Sequence, residues 1–224
     1  MRVERELKYT FQRHFDLAVL DRVRHICNVD GQYGANIVNS VYFDTPEDSF
    51  AMEKAASDYL KTKVRIRWYE DEGEGDSPSH CFLEIKNKTG SRRSKQRFEL
   101  DFKGDEIQKR IADGSIVRMV REVAARTLPA SQSVTLRPGI IVRYTRRRFV
   151  EPSSSTRVAL DTGIGASDPA RNRNTVLLNQ SVLEIKGAVE ELPHCLRSLV
   201  AMDLKKTAFS KYYECYRKIT GYRQ

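Results

Sequence analysis

A chain of 224 residues can bury a sizeable core without disulfide or metal staples, which sets aside the small cross-linked scaffolds. Charged residues are 31% and hydrophobic ones 40%, polar for a globular protein but not the composition of a disordered one, and no apolar run reaches transmembrane length. The formal charge of +9 calls for an anionic partner: nucleic acid, anionic lipid, or a phosphorylated small molecule or polymer.

The first strand is expected in Arg2–Phe11, where alternation sets Glu4, Glu6 and Lys8 on one face and mostly apolar residues on the other. A solvated strand accounts for that stretch alone, and so does a metal-phosphate site. His14–Cys27 has helical spacing through Leu17, Leu20, Val23 or Arg24, and Cys27, with Asp16 as its cap. Ile37–Asp44 follows as a strand, and Thr45-Pro46 opens a helix to about Ser57.

Lys61–Tyr69 alternates most clearly. Lys61, Lys63, Arg65 and Arg67 oppose Thr62, Val64, Ile66 and Trp68, and four like charges on one face call for water or an anion over them. Glu70–Ser79 is an acidic loop. His80–Lys88 sets Glu84, Lys86 and Lys88 against Cys81, Leu83 and Ile85, and Arg92–Phe102 sets Arg93, Lys95, Arg97 and Glu99 against Phe98, Leu100 and Phe102. Gly104–Thr127 is helical, with a break expected at Gly114-Ser115. Pro138–Val150 carries Tyr144, Arg146 and Arg148 on one face, though cations occupy both.

Thr156–Thr162 presents Arg157, Ala159 and Asp161 opposite Val158 and Leu160, before a polar loop over Gly163–Asn174. Val176–Gly187, interrupted near Asn179-Gln180, sets Val182, Glu184 and Lys186 against Leu183 and Ile185. Helices are expected over Glu190–Met202 and Lys205–Gly221.

About eight strands with a few helices and no βαβ rhythm indicate an α+β fold with antiparallel pairing in one domain, 1–224. Eight strands can close into a β-barrel with helices packed outside. Its charged faces would then line a wet interior built for a dense anion, since dry unpaired cations are too costly to enclose. Arginine matches phosphate with a planar fork and lysine with a point charge. The few carboxylates among them suit Mg²⁺ or Mn²⁺. No G-x-x-x-x-G-K-[ST], G-x-G-x-x-G or G-x-S-x-G occurs, and the histidines lack metal spacing. Cys27, Cys81, Cys195 and Cys215 have neither zinc nor disulfide-framework spacing, which reads as free thiols in a reducing compartment. With no apolar leader in view, a cytoplasmic location is expected.

Glu4-x-Glu6-x-Lys8 resembles the E-x-E-x-K signature of the triphosphate tunnel metalloenzymes. Ser40-Val-Tyr-Phe-Asp-Thr45, Lys63-Val-Arg-Ile-Arg67, Leu83-Glu-Ile-Lys86, Tyr144-x-Arg146, Leu183-Glu-Ile-Lys186 and Phe209-Ser-Lys-Tyr212 look more narrowly like the VTC branch, the polyphosphate polymerase domain. The resemblance runs nearly end to end and implies an eight-stranded antiparallel tunnel. It implies that phosphates are held by Lys8, Lys63, Arg65, Arg67, Lys86, Lys95, Arg97, Tyr144, Arg146, Arg157, Lys186, Ser210 and Lys211. Lys8, Arg65, Arg67, Lys86, Arg146 and Glu184 would carry catalysis. Glu184 would be the main ligand of Mn²⁺ or Mg²⁺, assisted by Glu4, Glu6 and Asp161. The implied reaction moves the γ-phosphoryl group of ATP onto inorganic polyphosphate. A metal-dependent tripolyphosphatase or nucleoside triphosphatase is the alternative, then a non-catalytic polyanion binder. No sequence-specific nucleic acid is expected. Eukaryotic members carry an SPX domain and membrane helices; this sequence shows neither, so membrane coupling would fall to a separate subunit.

Overall fold

The computed structural model describes residues 5–56, 59–71, 79–128, 135–169 and 175–222. They form an α+β fold built on antiparallel strands, the class expected. Eight strands are eight residues or longer: β1 Arg5–Gln12, β3 Ala35–Asp44, β4 Leu60–Glu70, β5 His80–Thr89, β6 Arg92–Lys103, β7 Arg137–Val150, β8 Arg157–Ser167 and β10 Gln180–Gly187. Three two-residue strands join them: β2 Asn28–Val29, β9 Val176–Leu177 and β11 Lys205–Lys206. The α-helices are α1 Asp16–Ile26, α2 Ser49–Ala56, α3 Ile107–Ala112, α4 Ser115–Thr127 and α5 Lys211–Thr220.

The chain divides into two compact units, and β3 and β7 are long enough to supply residues to both. The first comprises residues 1–37, 144–165 and 177–211. Its strand order is β11-β1-β10-β8-β7, with β2 on β7. The register sets Leu7 opposite Ile185, Tyr9 opposite Leu183, and Leu183 opposite Leu160. That apolar face is buried with Val19 and Val23 of α1 and with Leu196 and Leu199 of a 3₁₀ helix over His194–Met202.

The second unit comprises residues 38–143, 166–176 and 212–224. Its strand order is β7-β3-β4-β5-β6. Val64, Ile66, Leu83, Ile85, Leu100 and Phe102 form a face buried with Phe50 of α2, Ile107 of α3, and Ile116 and Val120 of α4. Trp68 belongs to this core, as its strand face predicts. Gly104 lies beneath it: a Cβ there would meet Trp68 Cδ1 at 2.0 Å, so only glycine fits without movement.

Several boundaries differ from the sequence reading. The α1 stripe is Val19 and Val23 with Cys27, while Leu17 stays 80% exposed; Asp16 begins the helix rather than capping it. Thr45-Pro46 precedes α2 by a turn. Asp44 takes the N–H groups of Phe50 and Ala51, and Thr45 Oγ1 takes that of Ser49, so the first turn is capped from Ser49 onward. The break at Gly114 is present, with φ +71°. β8 runs on through Gly163 to Ser167, where a polar loop was expected. The segment from Glu190 is helical only from His194, because Pro193 is extended. Lys205–Lys206 do not start the last helix: they pair with Tyr9 and Thr10 as β11, and α5 begins at Lys211. The acidic stretch 72–78 and residues 170–174 lie outside the described residues.

Candidate functional site

Each unit has a second sheet face, opposite its core, and the charges collect there. In the first unit the β1–β10 register opposes Glu6 to Lys186 and Lys8 to Glu184, two complementary pairs one row apart. β8 continues the rows with Arg157 opposite Lys186 and Asp161 opposite Val182. Alternation places these side chains together, as the sequence predicts.

The centre of this face is an ion-pair network. Arg146 donates through Nε and Nη2 to the two oxygens of Asp161, each at 2.6 Å, and through Nη2 to Glu184 Oε2 at 2.9 Å. Lys211 donates to Glu184 Oε1 at 3.0 Å and lies 2.5 Å from Asp161 Oδ2. Lys8 reaches Glu6 at 3.1 Å and Glu184 at 3.9 Å, and Lys186 reaches the same two carboxylates at 3.4 and 4.0 Å. Tyr144 lies under Lys211, whose Nζ is 4.9 Å from the ring centroid. Burial alone would raise Glu184; Lys211, Arg146, Lys8 and Lys186 together hold it well below the usual carboxylate range. Burial likewise opposes the charge on Lys211, and Asp161 and Glu184 outweigh it to raise its pKa. Arg146, Arg148, Arg157, Glu184 and Lys186 also line a pocket of about 120 Å³.

Of the residues selected from sequence, this face gathers Glu6, Lys8, Tyr144, Arg146, Arg157, Asp161, Glu184, Lys186 and Lys211. Ser210 is buried beside Lys211 in the chain. Glu4 lies outside the described residues. Five cations oppose three carboxylates.

The second unit is more one-sided. β4 and β5 oppose Lys63 to Lys86 and Arg65 to Glu84, and β5 and β6 oppose Glu84 to Arg97 and Lys86 to Lys95. Arg65 donates through Nε and Nη2 to Glu84 Oε2, at 2.8 and 2.5 Å, and through Nη1 to the Tyr42 hydroxyl at 3.0 Å. Arg67 donates to Ser40 Oγ at 3.1 Å. Lys95 and Arg97 stand 3.6 and 4.0 Å from Glu84 Oε1. Burial opposes the Glu84 charge, but Arg65 and Arg67 bring its pKa down to about 2. Lys86 gains less from Glu84 than it loses: burial and repulsion from Arg65 push it down to about 7. Burial is the largest cause of that depression, and Arg65, Arg67 and Lys95 add repulsion that Glu84 opposes. All six residues selected here from sequence, Lys63, Arg65, Arg67, Lys86, Lys95 and Arg97, share it.

Sequence reasoning assigned no role to the groups that hold these cations in place. Tyr42 stacks on Tyr212 at 4.6 Å with the rings 15° apart, and the Tyr212 hydroxyl donates to buried Asp44. Ser40, Tyr42 and Asp44 alternate along β3, in a strand whose final residues are all buried, and they fall in the Ser40–Thr45 stretch that carries part of the family resemblance.

Among the described residues no three carboxylate, histidine or cysteine side chains converge as a metal cage. Glu6 and Glu184 are brought together by sharing Lys8 and Lys186, and this pair of hard oxygen donors suits Mg²⁺ or Mn²⁺ if phosphate oxygens complete the shell. Both oxygens of Asp161 are engaged by Arg146, with Lys211 on Oδ2.

These features are those of an α+β fold of antiparallel strands in which each unit carries a charged sheet face opposite its core. The chain belongs to the VTC domain family, whose model matches residues 3–220. No protein of curated function matches it in sequence. Solved structures that share its fold include the following two. The PH1819 protein of Pyrococcus horikoshii OT3 is 15% identical with a TM-score of 0.52, covering 96% of this chain and 99% of its own. HpAC1 of Hippeastrum, described as an adenylyl cyclase candidate with a dominant triphosphatase activity, is 14% identical with a TM-score of 0.52, covering 96% of each chain. No described helix is long and apolar enough to cross a membrane.

Proposed function

We propose that this chain, acting as a single domain over 1–224, is a metal-dependent phosphotransferase that moves the γ-phosphoryl group of ATP onto inorganic polyphosphate. The observation that carries the reading is the second unit's charged face, where Lys63, Arg65, Arg67, Lys86, Lys95 and Arg97 gather around the buried carboxylate of Glu84. Membership of the VTC domain family supports it.

Arg65 and Arg67 are oriented before substrate arrives, by Glu84, Tyr42 and Ser40, so their remaining N–H groups meet phosphate oxygens with little reordering. Lys86 and Lys95 neutralise charge on the same oxygens. On the first unit's face, Lys8, Arg146, Arg157, Lys186 and Lys211 bind phosphate, with Tyr144 and Ser210 beside them. Glu184 and Glu6 would hold Mg²⁺ or Mn²⁺, with Glu4 and Asp161 as assisting carboxylates. Such an ion neutralises phosphate oxygens and polarises the transferred group. The acceptor is an anion already, so the chain needs no general base. Fixed positive charge and alignment supply the acceleration. A cytoplasmic location and a separate membrane subunit complete the proposal.

The second reading is a tripolyphosphatase or nucleoside triphosphatase. It is favoured by Glu6, 39% exposed at its side chain and held below the usual carboxylate range by Lys8 and Lys186 against burial, which fits it to orient water. Incubation with ATP and Mn²⁺, with and without a short polyphosphate primer, separates the two when products are resolved by chain length. Lengthening polymer with ADP release supports the polymerase. Free phosphate without polymer moves the assignment to the hydrolase, and no turnover overturns both.

A further inference from the structure

Cys81 and Leu83 of β5 enter the second unit's core, while Phe82 between them faces the other way, onto the charged side of the sheet with Glu84. The ring is half-buried there. The register sets Phe82 between Arg67 of β4 and Glu99 of β6. The neighbouring row, two residues along each strand and about 7 Å away, is Arg65, Glu84 and Arg97.

Arg97 leans from its own row onto the next. Its guanidinium carbon lies 3.8 Å from the centre of the Phe82 ring, a close cation–π contact. Its Nε stands 4.0 Å from Glu84 Oε1, and the side chain is still 43% exposed. The ring thus backs one flat side of the guanidinium and leaves the other open to solvent.

This row suits the part of a ligand that is not phosphate. A guanidinium plane held flat against a ring is a platform on which a nucleobase stacks. Glu99 is exposed beside the ring; a carboxylate accepts hydrogen bonds from sugar hydroxyls and repels a further anionic group. A ligand running from the Arg65 row to the Phe82 row is therefore anionic at one end and aromatic at the other, which describes a nucleotide, whose sugar spans the step between the rows. Packing alone would ask only that Phe82 prop Arg97, and would serve every ligand of Arg97 equally.

We propose that Phe82, Arg97 and Glu99 form a nucleoside subsite, in which a base stacks on the open side of the Arg97 guanidinium and Glu99 accepts from the ribose hydroxyls. The inference rests on reading the Arg65 row as a triphosphate site. It makes a nucleoside triphosphate, rather than inorganic triphosphate, the ligand that this end of the face recognises.

The test is calorimetric titration of the full chain, with Mg²⁺ present, using tripolyphosphate and adenylyl imidodiphosphate, which resists transfer of its terminal group. Phe82→Leu keeps its tripolyphosphate affinity to within about twofold and loses about tenfold on the nucleotide, the order expected for a lost stacking contact. Phe82→Tyr, which keeps the ring, stays within about twofold on both. Glu99→Ala, at an exposed position, narrows the preference for the ribonucleotide over its 2′,3′-dideoxy counterpart by about threefold or more, and it decides the outcome if Phe82→Leu lowers the melting temperature. Equal losses on both ligands in Phe82→Leu would mark Phe82 as a prop for Arg97 and overturn the subsite. So would no loss on either ligand, or an unchanged ribose preference in Glu99→Ala. These outcomes leave nucleotide binding by the wild type intact and overturn the subsite alone. A wild type that fails to bind the nucleotide overturns the proposed function with it.

Discussion

Arg65 and Glu84 stand directly opposite on neighbouring strands, joined by Arg65 Nε and Nη2 to one carboxylate oxygen at 2.8 and 2.5 Å. The pair is nearly shielded from solvent, with side-chain exposures of 10% and 4%. One buried carboxylate thus anchors the most crowded positive face of the protein. Glu84→Gln removes that counter-charge and leaves Arg65, Arg67, Lys86 and Lys95 facing one another. Breaking such a pair costs roughly 3–5 kcal/mol. The variant is expected to melt well below the wild type and to recover more of its melting temperature than the wild type gains when tripolyphosphate is added. Equal gains in the two proteins would show that Glu84 does not offset the same charge as the ligand.

The Lys86 environment sets a pH dependence. Its folded pKa, about 7, lies below the ordinary lysine value of 10.5. Between those values the unfolded chain holds a proton that the folded chain lacks, so this group makes stability rise with pH across the window. Bound phosphate reverses the balance by favouring the charged amine. Tripolyphosphate binding above pH 7 therefore takes up a proton, and affinity falls as pH climbs above that value. Calorimetry in buffers of different ionisation enthalpy reads the uptake directly. Lys86→Met should abolish it; uptake that persists in that variant assigns the proton elsewhere.

Asp161 is fully buried and meets Arg146 through both oxygens, with Lys211 beside it. Asp161→Asn keeps the shape and removes the charge from two buried cations. A loss of about 3 kcal/mol or more in urea unfolding is expected. A loss below about 1 kcal/mol would mean Glu184 alone suffices to hold Arg146 and Lys211.

Glu184→Gln keeps the side-chain volume but removes the charge and replaces one of the two oxygens that accept from Arg146 and Lys211 by an amide donor. It is expected to abolish turnover and to weaken Mn²⁺ binding, read by the paramagnetic signal of the free ion, while the far-ultraviolet circular dichroism stays that of the wild type. Unchanged Mn²⁺ affinity would remove Glu184 from the metal role.

Gly104→Ala drives a methyl group into the indole of Trp68, the single tryptophan of the chain. Overpacking of this kind costs roughly 1–3 kcal/mol. The emission of Trp68 should shift in the folded state and the denaturation midpoint should fall; an unaltered spectrum would show that the contact relaxes without cost.

Much of the charged architecture was legible because a strand has a period of two. Alternation alone separated Lys63, Arg65 and Arg67 from Val64, Ile66 and Trp68, and Glu184 and Lys186 from Leu183 and Ile185. Helix detail was less legible. Leu17 fits a helical stripe as well as Val19 does, and only the position of the 3₁₀ helix at His194–Met202 selects between them. The helix start at Ser49 depends on Asp44 and Thr45, whose side chains cap a turn that begins several residues later.

The order of side chains along the chain by itself determined which residues share a face, because that follows from backbone geometry within one strand. Which charges stand opposite one another was left to the tertiary structure. Strand register pairs Arg65 with Glu84 and Lys8 with Glu184, across separations that no local rule spans. Burial at those pairings then turns the same residue types into different chemical groups. Glu84 is held ionised down to about pH 2, while Lys86, two residues on, releases its proton near pH 7.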